Sequence, residues 1–254
     1  MSAPFASTVA VVTGAGRGIG RAIARELARA GADVALLARS RDELAETSAQ
    51  VRALGGSALV VPTDLGDPGQ IDTAVRLIRD RLGSPDVLVN NAGVVRPLGP
   101  TAGVDPVEWA RAVTINLTAA VTLTLALLPE MLANRRGHIV NVSSGVAASP
   151  SSMIGGNAYV TGKTALEAHT LNLAAELAGS GVSVNVFRPG TVDTAMQGWI
   201  RGQDPEEIGA QLHERFVRYH ADGVLITPER SARSLVRHLR GTSTGEIWTV
   251  SAPG

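Results

Sequence analysis

The stretch Val9-Ala10-Val11-Val12-Thr13-Gly14-Ala15-Gly16-Arg17-Gly18-Ile19-Gly20 decides the fold. Its first five residues carry no charge and read as a short strand buried on both faces. Four glycines at alternate positions follow, and a helical pattern begins at Gly18. Glycines let the backbone turn tightly and approach a pyrophosphate. The helix N-terminus adds free N–H groups and the positive end of a dipole. Such a turn alone is weak evidence, but strand before and helix after make it a dinucleotide site. Gly14, Arg17, Gly18, Ile19 and Gly20 are its candidate contacts.

Outward from this unit, apolar runs alternate with helical patterns to the end of the chain. Strands are expected at 9–13, 33–37, 58–61, 87–90, 138–142, 182–187 and 246–250, and helices at 18–30, 41–54, 70–82, 106–132, 159–178 and 228–239. Pro68, Pro106 and Pro228 suit helix starts, while Gly31, Gly55 and Gly83 suit helix ends. The pattern predicts an α/β fold: a Rossmann-type, doubly wound, parallel seven-stranded sheet with helices on both faces. One domain is expected over 1–254, with 191–226 a strandless excursion that reads as a substrate-binding flap.

Bulk composition narrows the function classes. Lys plus Arg and Asp plus Glu each number 23, so the formal net charge is zero and no nucleic-acid footprint is expected. With no cysteine, disulfides, thiolate nucleophiles and Cys-type zinc sites are excluded. Residues 1–8 lack the basic start of a secretory signal. The apolar stretch 117–128, broken by Thr118, Thr122 and Thr124, reads as too short to span a bilayer. The expectation is a cytoplasmic protein without membrane or nucleic-acid partners.

The end of the second strand bears on which nucleotide binds. An acidic residue there would bind both ribose hydroxyls of NAD. The chain has Ala38-Arg39-Ser40 instead. Without a carboxylate to repel a 2′-phosphate, and with Arg39, Ser40 and Arg17 to hold one, NADP(H) is favoured over NAD(H). Asp64 and Leu65 follow the third strand and could hold the adenine edge. Asn90-Asn91-Ala92-Gly93 closes the fourth, with Asn91, Ala92 and Gly93 on the crevice floor.

Tyr159 and Lys163 stand four apart on an expected helix, hence on one face. A neighbouring ammonium favours the phenolate, lowering a pKa otherwise about 10 and making the phenol a usable general acid or base.

With these motifs in order, and with Asn116, Ser144 and Pro189-Gly190, nearly the whole chain from Thr8 to the last strand resembles the short-chain dehydrogenase/reductase family. The resemblance implies NADP(H)-dependent reduction of a ketone, or oxidation of a secondary alcohol. Tyr159 would be the proton donor and Lys163 would tune it and hold the nicotinamide ribose. Ser144, rather than its neighbour Ser143, would hold the substrate oxygen, and Asn116 would organise water. Pro189, Gly190, Val192 and Thr194 would cover the nicotinamide. Substrate contacts would come from Ser144, Met153, Tyr159 and Trp199, with Val94, Ala148 and Ile200 as further wall. A homotetramer or homodimer is also implied, supported by apolar surplus on helices 106–132 and 159–178.

Two readings remain beside this one: a 3-oxoacyl-carrier-protein reductase, using Arg135, Arg136 and Arg201 as a basic patch, and a non-catalytic NADP(H)-binding regulator. Gly162-Lys163-Thr164 does not complete a phosphate-binding loop, because Asn157 stands where glycine is required. No G-x-S-x-G elbow surrounds Ser144. The five histidines show no metal-ligand spacing, and no metal is expected.

Overall fold

The computed structural model describes residues 3–250; the ends of the expected single domain, 1–2 and 251–254, lie outside the described residues. Seven parallel strands form one sheet in the order β3-β2-β1-β4-β5-β6-β7. They are β1 Val9–Thr13, β2 Asp33–Ala38, β3 Ala58–Pro62, β4 Val87–Asn90, β5 Gly137–Val142, β6 Val182–Arg188 and β7 Ile247–Thr249. Every strand lies within one or two residues of its expected span. The order reverses between β1 and β4, which opens a crevice at their carboxyl ends.

Alternation along β1 explains the continuous apolar runs. Ala10 and Val12 pack into a core with Ile23 and Leu27 of α1 (Gly18–Arg29), and with Leu235. Val9 and Val11 face the opposite core, with Ile71 and Ile78 of α3 (Pro68–Leu82). Helix α2 (Arg41–Ala53) covers the first face through Leu44 and Val51. Fully burying each such side chain is worth about 1.5–3 kcal/mol. Helix α3 starts two residues earlier than expected because Asp67 Oδ1 accepts Gly69 N–H at 2.9 Å, capping it with Pro68 in the first turn.

The expected helix 106–132 is not regular. It comprises α4 (Pro106–Val113), a π-turn at Thr114–Thr118 and α5 (Ala119–Ala133). The combined run, Pro106–Ala133, has the length and hydropathy to cross a membrane, which corrects the reading of 117–128 as too short. Nevertheless Leu123, Leu127 and Met131 are buried in the sheet core, as in a core helix.

Helix α6 (Asn157–Glu176) follows β5, and the excursion after β6 holds α7 (Ala195–Arg201), α8 (Pro205–Ile208) and α9 (Ala210–Ala221). Its two ends are stitched together: Asp193 N–H donates to the Ile226 carbonyl and Ile226 N–H to the Thr191 carbonyl, each at 2.9 Å. Helix α10 (Pro228–His238) then packs on α1.

Candidate active site

The glycine turn is held by residues far away in sequence. Thr13 Oγ1 accepts N–H groups of Asn91 and Ala92, both at 3.0 Å, and Asn91 Nδ2 donates to the Thr13 carbonyl at 2.8 Å. Helix α1 begins without a side-chain cap and without an acidic residue in its first turn. Its N–H groups therefore remain available to an anion. A Cβ on Gly20 would lie 2.2 Å from the Gly14 carbonyl oxygen and 2.5 Å from Asn91 Nδ2. Gly14 and Gly18 adopt positive φ, +63° and +54°. Thr47 and Arg21, not anticipated from sequence, brace the turn: Thr47 Oγ1 donates to the Ala15 carbonyl at 3.0 Å and Arg21 Nε to that of Gly16 at 2.9 Å.

These glycines open onto a cavity of about 650 Å³. Its lining runs from Arg17, Arg39 and Ser40 past Asp64 and Leu65, then Asn91, Ala92 and Gly93, to Tyr159, Lys163, Pro189 and Thr194. An uncapped helix start, a glycine cradle and cationic residues at one end fit a dinucleotide in size and charge. Ser40 Oγ already accepts Glu43 N–H at 3.2 Å as the cap of α2, so its hydroxyl is shared. Gly190 and Val192 fall outside the lining. Val192 is buried and bridged to Ile226.

At the other end, Ser144 lies near enough to Tyr159 to favour its ionised form, while its Oγ accepts Val146 N–H at 3.4 Å. Ser143 lines the cavity, its hydroxyl buried 3.5 Å from the Lys163 carbonyl, whereas Ser144 falls outside the lining. Asn116 sits in the π-turn, almost fully buried; its amide accepts Val94 N–H at 2.9 Å and donates to the Val94 carbonyl at 2.8 Å. Both bonds hold the chain that follows β4, and π-turns of this kind recur at functional sites.

The electrostatics differ from expectation. Burial pushes the Tyr159 phenol above its ordinary value, and Ser144 opposes that only in part. Lys163 does not lower it: Nζ lies 6.0 Å from the Tyr159 ring centroid and donates to the Val142 carbonyl at 2.7 Å. Lys163 is itself pushed down from 10.5 to about 8 by burial, against the pull of Glu167 one turn on. Glu167 is in turn paired with Arg188 at 2.7 Å. Neither was foreseen, because their meeting depends on α6 lying across β6.

Burial of the Lys163 ammonium makes stability depend on pH. Below about pH 8 both folded and unfolded chains keep the proton, so the fold bears the full cost of the buried ammonium. Between about 8 and 10.5 the folded state releases it while the unfolded chain retains it, and stability rises. Relative to Lys163→Met, the protein should gain up to about 3 kcal/mol across that window in urea unfolding. A constant difference would show that the ammonium is not desolvated.

The substrate wall differs from the sequence expectation. Met153 and Ile200 are buried with Val95, Leu212 and Phe216 in a small core packed against Tyr159 and Trp199. They support the site without lining the cavity, and Ala148 is exposed. Val94 lines it as expected, joined by Ile115 and Met196, while Ser144 and Trp199 fall outside the lining. Trp199 lies under the Arg96 guanidinium, 4.1 Å from ring centroid to carbon. Arg135 and Arg136 precede β5 and lie at the amino edge of the sheet, where Arg136 pairs with Asp86 at 3.1 Å. They cannot flank a pocket at the carboxyl edge.

The family model for short chain dehydrogenases matches residues 8–205. A short chain dehydrogenase of Pseudocercospora fijiensis is 37% identical over 191 residues, 74% of this chain and 60% of that protein's length. Among solved structures, L-sorbose reductase from Gluconobacter frateurii, complexed with NADPH and L-sorbose, superposes with a TM-score of 0.86 at 29% identity, covering 98% of this chain and 97% of that one. NAD+-bound xylitol dehydrogenase matches equally well, TM-score 0.86 at 28% identity over 97% and 98%. The parallel sheet, the glycine cradle, Tyr159 with Lys163 in the cavity and these likenesses agree: the chain belongs to the short-chain dehydrogenase family, NAD(P)-dependent oxidoreductases of CH–OH and C=O groups.

Proposed function

We propose that this protein is an NADPH-preferring carbonyl reductase, acting reversibly on a ketone or secondary alcohol. The observation that carries this reading is the placement of the Tyr159 phenol beside Lys163 at one end of the dinucleotide-sized cavity, with burial holding the phenol in its protonated form. Bound NADPH would supply the hydride to the carbonyl carbon. Tyr159 gives its proton to the carbonyl oxygen, which Ser144 holds by a hydrogen bond. Lys163, with a pKa of about 8, can return a proton to Tyr159. Asn116 fixes the chain at Val94 and so the wall beside the reacting carbon. Assay of a ketone panel with NADPH tests the reading; no consumption with any ketone overturns it.

Arg39 supports the cofactor preference, since it lines the cavity and has no ion-pair partner among the described residues. Arg39→Asp should weaken NADPH binding by a factor on the order of 10 or more, the scale of a lost charge-assisted hydrogen bond, and should favour NADH. Fluorescence titration with both cofactors measures this. An unchanged preference would remove Arg39 from the site.

We also propose a homotetramer, or at least a homodimer. Leu125 of α5 is 60% exposed and Leu171 of α6 is 38% exposed, on helices of one layer whose other faces fill the core. Light scattering at micromolar concentration should give a multiple of the 26.2 kDa chain. A monomer mass would refute association.

The carrier-protein alternative is weakened, because of its three arginines only Arg201, at the end of α7, lies in the flap.

A further inference from the structure

Beyond Arg39, the adenosine end of the cavity contains a carboxylate that the residues directly after β2 do not reveal. Arg17, Arg39, Ser40 and Glu43 line that end together. Glu43 Oε1 lies 3.5 Å from Arg17 Nη1, and both side chains are open to solvent, 37% and 66% exposed. Glu43 also presses on the glycine turn: a Cβ on Gly16 would meet Glu43 Cβ at 2.9 Å and Oε2 at 3.0 Å.

The local sequence would send this carboxylate elsewhere. Ser40-x-x-Glu43 is a capping-box pattern, in which the serine takes the N–H of the fourth residue and the glutamate reaches back to the N–H of the serine. Only the first bond forms, Glu43 N–H to Ser40 Oγ at 3.2 Å. The glutamate turns to Arg17 and the glycine turn instead. A local helix-start rule is thus half abandoned beside a ligand cavity, where such departures have functional causes.

We propose that Glu43 sets the cofactor selectivity of this enzyme by opposing a 2′-phosphate. This rests on the reading of the cavity as a dinucleotide site. A phosphate at this end must draw Arg17 away from Glu43 and then lie beside the freed carboxylate. A ribose 2′-hydroxyl meets neither cost and can donate a hydrogen bond to Glu43. Arg39 and Arg17 favour NADP(H); Glu43 limits that preference and keeps NAD(H) usable.

The test uses adenosine 2′,5′-bisphosphate and 5′-AMP, which occupy the adenosine end without touching Tyr159 or Lys163. Calorimetric titration of Glu43→Gln should show adenosine 2′,5′-bisphosphate bound about fivefold more tightly than by the unaltered protein, with 5′-AMP unchanged or weaker. Glu43→Lys should extend the gain. Because the pair is solvent-exposed, the gain in Glu43→Gln should shrink as salt is raised from low to about 0.5 M. The Ser40 cap uses a backbone N–H of residue 43, so both variants retain it. An unchanged ratio of the two affinities in Glu43→Gln overturns the proposal, as does equal weakening of both ligands, which marks a structural role. Failure of both nucleotides to bind the unaltered protein overturns the dinucleotide reading itself.

Discussion

Replacing Tyr159 by Phe is expected to lower turnover by a factor on the order of 10² or more while leaving cofactor binding intact. The substitution removes the phenolic oxygen and keeps the ring, which packs against the core of Met153, Ile200 and Phe216. Lys163→Ala is expected to behave differently. It abandons the Val142 carbonyl, leaves a void in a residue position only 3% exposed, and removes a cation from the cavity. Both NADPH affinity and turnover should fall. Titration of NADPH fluorescence against each variant, beside single-turnover reduction of one ketone, separates the two cases. If Tyr159→Phe reduces the ketone at the original rate, Tyr159 is not the proton donor.

The second large effect is expected at Gly20. In Gly20→Ala the new methyl carbon would lie 2.2 Å from the Gly14 carbonyl oxygen and 2.8 Å from its carbon, both backbone atoms. No rotamer relieves such a contact, so the turn must move away from α1 or the Asn91 amide must release it. Overpacking of this kind costs about 1–3 kcal/mol or more, which lowers the melting temperature by several degrees in a chain of this size. NADPH binding should weaken by at least tenfold as the cradle shifts. Gly18→Ala provides the contrast. There the nearest atom is Thr194 Cγ2 at 3.5 Å, and the penalty is the positive φ of +54°, about 1–2 kcal/mol. A Gly20→Ala protein that melts and binds NADPH like the original would show that the turn is not rigidly seated against Asn91.

Why these two sites were legible in advance is a matter of range. The strand at 9–13, the glycine turn and the Tyr159–Lys163 spacing are short patterns whose meaning depends on neighbours within one or two turns. Apolar continuity marked each β-strand because both sheet faces are covered, as the split of Ala10 and Val12 from Val9 and Val11 shows. The choice of Ser144 over Ser143 rested on family likeness, and the cavity lining contains Ser143 instead.

Other features depended on what the fold brings together. The route of the Lys163 ammonium to the Val142 carbonyl comes from α6 packing over the end of β5, and with it the tuning of Tyr159 passes from a cation to burial and Ser144. Residues 38–40 suggested an end without a carboxylate, yet the first turn of α2 delivers Glu43 to Arg17. Arg135 and Arg136 looked available to a substrate until β5 placed them at the far edge. The local chain by itself determined the elements, the glycine cradle and the spacing of the catalytic candidates, because helix and strand periodicities are set by neighbouring residues. Which charge faces which was decided only by strand order and helix docking, since electrostatic partners meet through space and not along the chain.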